Sequence, residues 1–414
     1  NPRIVATEVA IANPQGEHRA DLLTMARIEA EIGLFALLRR EIEVSRLILV
    51  EPDLALEIDE RGRGNWLRAA PTPPASLRIE TVTVQGGRLT LRDRSTRNAS
   101  VLSLDQITIS AADTSSPIAF SARGQFGALP LDLSGTLGSF AVLEGQNQPF
   151  PVAVQISAGS NHALIEGRLA YPASLSGMDL TVALQGNEIA EAAHLLGRNL
   201  PALGPFRASL AVSGSWDKPD IHDLEGVVGK VELLRMAVSG TIAQPWNGRG
   251  VALYLSAETR SPARLGRLFD VELPLSAALS ATGRLVDTAD GWRLSDLNAV
   301  LGHSDLNGTV AWTTAARPSL NAVLTSKIVD LNDWGLKPVQ SLPKTKSEPW
   351  VRDGALLPLT GENRLDMSIS WHAAVLLNRG ITLCPDPTEA TLRLRGGVLF
   401  FRPFTITDST LTLP

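Results

Sequence analysis

The densest group of metal-capable side chains is Asp220-Ile-His222-Asp223-Leu-Glu225. In an extended strand Asp220 and His222 share one face, and Asp223 and Glu225 the other. The ligands are thus split between two faces, whereas a metal site needs three or four that converge. The segment also follows Trp216-Asp-Lys-Pro219 directly and reads as a solvated hairpin. Gly226-Val-Val-Gly-Lys230 lacks the spacing of a phosphate-cradling loop and runs into Val231. Gly62-Arg63-Gly64 precedes Asn-Trp rather than a helix, so it lacks the rest of a dinucleotide fingerprint. Both read as turns. The six histidines are scattered, and the single cysteine, Cys384, is followed by Pro385 and Pro387 rather than a His-bearing motif. No nucleophile elbow is present. These residues predict no catalytic site, no metal and no cofactor: the chain reads as non-enzymatic.

With chemistry set aside, the question becomes what the remaining residues build. Apolar residues make up 44% of the chain and charged ones 20%, with a mean hydropathy of +0.07. No uncharged apolar run, Ala355–Leu359 and Val398–Phe401 included, approaches the ~18 residues of a spanning helix. The apolar content therefore belongs to sheet faces. Basic and acidic residues, 38 and 43, are intermixed to a net charge of −5, and aromatics are 5%. A nucleic-acid partner is excluded on that basis, since it calls for a basic stripe with stacking rings.

The dominant pattern is period two, the signature of half-buried strands. It runs through Val152/Val154/Ile156, Leu180/Val182/Leu184, Leu210/Val212 and Val251/Leu253/Leu255. It continues in Leu275/Ala277/Leu279, Leu320/Ala322/Leu324 and Leu365/Met367/Ile369/Trp371. Gly86-Gly87, Gly396-Gly397, Asp290-Gly291 and Asn307-Gly308 read as hairpin turns between such runs. The first would set Val84 opposite Leu89, and the second Leu394 opposite Leu399 and Leu392 opposite Phe401. The expected fold is mostly β: an elongated antiparallel meander forming a curved, repetitive β-groove with a few short helices. Helical patterns are confined to Gly33–Arg40, Asn187–Arg198 and Ser261–Phe269, the last with Pro262 at its first position.

Gly197 and Gly266, Pro205 and Pro274, and Gly214 and Gly283 are each 69 residues apart, which suggests a duplicated module over roughly 180–249 and 250–325. Pro-rich stretches divide the chain. Residues 1–68 form an N-terminal module, 69–76 a linker, 77–335 the repetitive array, 336–350 a second linker, and 351–414 the start of a C-terminal region. Both ends read as cut, so an anchoring segment is expected outside the sequence.

The opening segment carries the most specific motifs. It runs Val5–Asn13-Pro-Gln-Gly16, an alternating strand around Leu22–Ile32, then Leu34-Phe-Ala-Leu-Leu38. A second strand, Ile42–Val50, leads to Glu51-Pro52, Leu54–Ile58 and Gly62-Arg-Gly-Asn-Trp66. This order resembles the N-terminal module of the bacterial AsmA family. Leu77–Asp93, Gly135-Thr-Leu-Gly138, Leu203-Gly-Pro205 and Leu356-Leu-Pro-Leu359 are similar, more loosely, to later hairpins and turns of that family. The resemblance implies a bridge-like lipid transfer protein, periplasmic and held to the inner membrane by a helix upstream of Asn1. It also implies phospholipid or another amphiphile as partner, and a role in outer-membrane assembly. Protein partners are not indicated.

About 20 strands at ~4.8 Å spacing would make a sheet on the order of 100 Å long, with an apolar face its few helices are too short to cover. In the groove reading that face is lined by Val152, Val154, Ile156, Leu180, Val182, Leu184, Leu210, Val212, Val251, Leu253, Leu255, Leu275, Leu279, Leu320 and Leu324. An acyl chain of ~16 carbons buried there would contribute on the order of 10 kcal/mol. Alternation alone fits equally well a scaffold whose sheets close into a dry core, and, more distantly, a β-rich carbohydrate-active enzyme.

Overall fold

The computed structural model describes residues 2–13, 19–33, 42–58, 64–65, 77–94, 98–127, 129–144, 148–195, 197–268, 275, 277–314, 318–334, 366–378, 381–384, 388–395 and 398–402. All but the first residue of the helix expected over Gly33–Arg40, both linkers, Gly62, Trp66, Leu356–Leu359 and 406–414 lie outside these residues. The chain is mostly β, with three short α-helices and two 3-10 turns among the described residues. Contacts divide it into two compact units, 1–202 with 206–219, and 203–205 with 220–414.

The first unit opens with β1 (Arg3–Ala12), β2 (Asp21–Ile32), β3 (Ile42–Val50), β4 (Asp53–Ile58), β5 (Leu77–Ile79) and β6 (Thr81–Asp93). β1, β2 and β3 pair antiparallel, but β3 and β4 pair parallel with β6. A pure antiparallel meander is therefore not what forms here. Gly86-Gly87 is also not a hairpin. β6 runs straight through it, and Val84 faces Ile107 and Leu89 faces Leu102 on β7 (Asn98–Ser110). Gly86 takes φ 68°, a kink that glycine accepts without strain. The kink lies beside the Glu51-Pro52 break between β3 and β4. There Glu51 N–H donates to the Gln85 carbonyl and Arg88 N–H to the Pro52 carbonyl, each at 2.7 Å. A hairpin at Gly86 would forfeit ladders on both sides of β6.

From β7 the unit becomes an antiparallel meander through β8 (Ile118–Phe126), β9 (Leu129–Leu137), β10 (Phe150–Ala158), β11 (Asn161–Tyr171), β12 (Ser176–Gly186) and β13 (Phe206–Ser215). Gly135 sits inside β9 opposite Val154, not in a turn. A one-turn helix, α1 (Phe140–Glu144), joins β9 to β10, and α2 (Ile189–Leu195) joins β12 to β13.

The second unit holds β14 (Lys218–Lys230) from Asp220 onward, β15 (Leu234–Gln244), β16 (Arg249–Thr259), α3 (Pro262–Leu268), β17 (Leu279–Asp287), β18 (Gly291–Leu301), β19 (Ser304–Thr313) and β20 (Ser319–Asp330). These strands pair antiparallel in sequence order. β21 (Asp366–Asn378) then joins β20 in parallel register, and pairs antiparallel with β22 (Ile381–Cys384) and β23 (Thr388–Arg395). Asn307-Gly308 lies within β19, and the turn entering that strand is Gly302-His303. Gly226–Lys230 is part of β14. Asp290-Gly291 does close a hairpin, and β23 meets β24 (Val398–Arg402) with Leu394 opposite Leu399 and Leu392 opposite Phe401.

The duplication is structural, at an offset other than the one the glycines suggest. Asn161 and Leu234 begin β11 and β15, Ser176 and Arg249 begin β12 and β16, and Ile189 and Pro262 begin α2 and α3, each pair 73 residues apart. The 3-10 turns starting at Pro172 and Pro245 share that spacing. Gly266 lies inside α3 whereas Gly197 follows α2, so those two glycines are not equivalent.

Gly167 in β11 takes φ 146°, and a Cβ there would collide with the Asp179 carbonyl oxygen on β12. Gly167→Ala is expected to destabilise the first unit by roughly 2–4 kcal/mol, combining backbone strain with a steric clash. A urea midpoint equal to that of the parent would show that the two strands do not approach so closely.

Candidate functional site: an open apolar face

Cross-strand register gathers the alternating residues into rows. In the first unit one row runs Val84, Ile107, Ala122, Leu133, Ile156, Ala163, Leu184 and Ala208 across β6 to β13. The next runs Ile109, Phe120, Gly135, Val154, Ile165, Val182 and Leu210, and a third Ile118, Leu137, Val152, Gly167, Leu180 and Val212. The opposite face of the same strands is polar. Its central row reads Arg123, Asp132, Ser157, His162, Gln185 and Arg207. Arg168 and Asp179 pair there at 2.7 Å, and Arg123 and Asp132 at 3.6 Å beside a shallow recess with Gln106, Ser121 and Ser134.

The second unit repeats the division. Leu253, Leu285, Leu294, Val310 and Ala322 form one apolar row, with Leu255 and Gly283 beside it. Gly308–Leu324 and Trp312–Leu320 extend the face across β19 and β20. The reverse side carries Glu225, Ser239, Tyr254, Arg284 and Ser295.

Most residues of these faces stay partly exposed, although Val84, Ile118, Ala122 and Ala322 are buried. Of the residues predicted to line a groove, all except Val251 remain only half-buried. Such residues in a sealed core would be shielded almost completely, as Val329 and Ala373 are where β20 meets β21 and Trp334 packs on Trp371. The short helices cover only patches. Val142 of α1 packs on Phe150, Leu169 and Met178, and Ala193 of α2 is buried.

Register assigns the predicted lining residues within each unit to its apolar face, with one exception. Leu275 lies ahead of β17 and belongs to no strand. Ile107, Phe120, Leu133, Leu137, Ile165, Leu285 and Val310 are among the further row residues that were not singled out in the sequence. Leu133 and Leu137 stand in an alternating run that could have shown them.

Asp220, His222, Asp223 and Glu225 are drawn out along β14, where Asp223 is kinked at φ 50°. A different trio, His303, Asp330 and Asp333, brings its ligand-capable atoms within 4.8 Å of one another. The Asp333 carboxylate already accepts from His303 N–H (2.8 Å), Ser304 N–H (3.1 Å) and Ser304 Oγ (3.0 Å). It clamps the β18–β19 turn to the end of β20.

The N-terminal motifs meet in space. Asn65, 2% exposed, donates through Nδ2 to Asn13 Oδ1 and the Ala55 carbonyl, and accepts from Glu57 N–H, all at 3.0 Å. Arg19, just past the Asn-Pro-Gln-Gly segment, forks onto both Asp53 oxygens at 3.1 Å, which raises the guanidinium pKa above its ordinary value. The two motifs thus form one hydrogen-bonded unit. The AsmA family profile matches residues 1–353. The chain belongs to the AsmA family. AsmA proteins are proteins of the cell envelope. The chain is similar to AsmA family protein YhjG of Escherichia coli (strain K12), 22% identical over 264 residues, or 56% of this chain and 38% of that relative. The match therefore spans well under half the relative's length. No solved structure matches. Among the described residues of this AsmA chain, no helix is long and apolar enough to cross a membrane.

Proposed function

We propose that this AsmA-family chain is a non-enzymatic, periplasmic lipid-binding and lipid-transfer protein, anchored to the inner membrane and supporting phospholipid transport and outer-membrane assembly. The observation that carries the reading is the half-buried state of most residues in the apolar rows, seen within each unit separately. An uncovered apolar face is unfavourable in water at roughly 25 cal/mol per Å², so it calls for an occupant. Phospholipid or another amphiphile suits it, because acyl chains match a lining made mostly of Val, Leu, Ile, Ala and Gly, with Phe120 and Trp312 among them. Head groups would remain outside, in water.

The test is native mass spectrometry and lipid extraction on the purified chain, against an unrelated protein from the same host. Reproducible enrichment of phospholipid is expected. A clean, ligand-free mass from folded protein would instead favour a scaffold.

A further inference from the structure

Five large apolar side chains stand exposed at one end of the first unit's strands: Phe140 and Leu143 on α1, Tyr171 and Leu175 at the β11–β12 turn, and Trp216 just after β13. They are 36–63% exposed. Register shows that they share this end. Phe150, the first residue after the α1 connection, pairs with Leu169, two positions before Tyr171. Tyr171 pairs with Ser176 and Ser176 with Ser215, while Trp216 N–H donates to the Leu175 carbonyl at 3.0 Å. Tyr171 continues the parity of Leu169, whereas the register shift between Ser176 and Met178 interrupts parity on the way to Ser215 and Trp216. The five residues thus gather at one end of the strands, beside the apolar face.

Folding alone gives no reason for one of these residues. Leu175 is held at φ 46°, ψ 47°, a left-handed conformation that costs an L-residue stability. One repeat later the same turn position is Gly248, at φ 60°. Leu175 accepts the strained backbone and leaves its side chain 45% exposed.

Size and chemistry select the occupant. Five partly exposed side chains of these types present roughly 400–500 Å², at the scale of a functional patch. Each partner of a stable protein pair contributes ~800 Å². Tyr and Trp favour the head-group boundary of a bilayer, where a ring can be half wet. The surroundings are hydroxyls, Ser174, Ser176 and Ser215, with Asp217 and Lys218 opposed in sign, so no charged partner is selected. We infer that this end of the first unit inserts into the head-group–acyl boundary of a phospholipid bilayer. The contact does not require lipid in the apolar face; passage of acyl chains from bilayer to face at this end rests on the proposed function.

The test is flotation of the 414-residue chain with phosphatidylcholine vesicles whose acyl chains are brominated, read also as tryptophan quenching. The parent protein is expected to float and to be quenched. The triple variant Tyr171→Ser/Leu175→Gly/Trp216→Ser is expected to partition about tenfold less, or lower still. Leu175→Gly relieves a strained site, so circular dichroism should show the fold retained. Trp216→Phe keeps the bulk and should remove part of the quenching without touching the fold. Failure of the parent protein to float, or undiminished flotation of the folded triple variant, overturns the inference, as does binding of this patch to proteins only. Should the parent protein float yet yield no extractable lipid, the bilayer contact stands and the groove reading falls.

Discussion

Val182→Asp and Leu253→Asp are expected to leave the chain folded and to strip it of lipid. Val182 lies between Ile165 and Leu210, and Leu253 between Gly240 and Leu285, each flanked on both sides on the apolar face and each half-buried. Without lipid the new carboxylate faces water. The cost to the fold is then mainly the poor strand propensity of Asp and lost contact with two row neighbours, about 1 kcal/mol. With an acyl chain seated, the same carboxylate must be dehydrated or the chain displaced. That costs several kcal/mol, and ~3 kcal/mol already amounts to a hundredfold loss of affinity. Lipid extracted per protein should fall to background while thermal unfolding shifts by a few degrees. Val329→Asp is the contrasting case: that side chain is fully enclosed with Ala373 and Leu376, so the charge has no route to water and the surrounding strands should melt. Unfolding of all three variants alike would mean that the apolar faces close on themselves, and the scaffold reading would replace the conduit. Folded Val182→Asp and Leu253→Asp proteins that keep their lipid would place the binding surface elsewhere.

Alternation made the strands legible because one face of each strand is apolar and the other polar for most of its length. What alternation cannot show is which strand lies beside which. The same Gly-Gly pair illustrates the limit. The strands that flank Gly396-Gly397, β23 and β24, pair antiparallel, whereas Gly86-Gly87 is a kink within β6. The difference comes from Glu51-Pro52, about 35 residues upstream, whose backbone groups bond across the kink. The parallel union of β20 with β21 is equally non-local, bringing Leu320 beside Met367 and Leu324 beside Trp371. α1 is one turn long, too short for helical periodicity, and only Ser139 ahead of Phe140 hints at it: Ser139 Oγ accepts from Val142 N–H at 3.4 Å.

The residues of the apolar face were legible where strands keep strict parity, and were lost where a bulge changes it. In β7 the register shifts between Leu104 and Gln106, so Leu102 and Leu104 fall at even positions and Ile107 and Ile109 at odd ones, yet all serve the apolar face. The repeat was misaligned for a related reason. Glycines mark kinks and close approaches that differ between the copies, whereas strand and helix starts keep the 73-residue spacing.

Asn65→Ala is the change expected to cost the N-terminal module most. Three groups lose their partner together: Glu57 N–H, the Ala55 carbonyl and Asn13 Oδ1. Asn65 is buried, so water does not replace it freely, and unsatisfied buried groups cost ~1–3 kcal/mol each. Some relaxation is available, because the Asn13 amide can turn, so a net loss of about 3–5 kcal/mol is expected. Asn65→Asp separates hydrogen bonding from packing. It keeps the acceptor for Glu57 N–H but points a second oxygen at Asn13 Oδ1 and the Ala55 carbonyl, two acceptors that offer it no proton. Burial and the two facing acceptor oxygens raise the folded-state pKa of the new carboxyl above its unfolded value. Once protonated, that carboxyl can donate where Nδ2 did. The variant is therefore destabilised at neutral pH and recovers as pH falls through that raised pKa, whereas Asn65→Ala shows no such recovery. Urea unfolding at a series of pH values, with limited proteolysis to localise the loss to 1–94, reads both. Indistinguishable pH profiles for the two variants would mean that Asn65 acts only as a space-filler, and the hydrogen-bonded link between the two AsmA motifs would then not explain why they occur together.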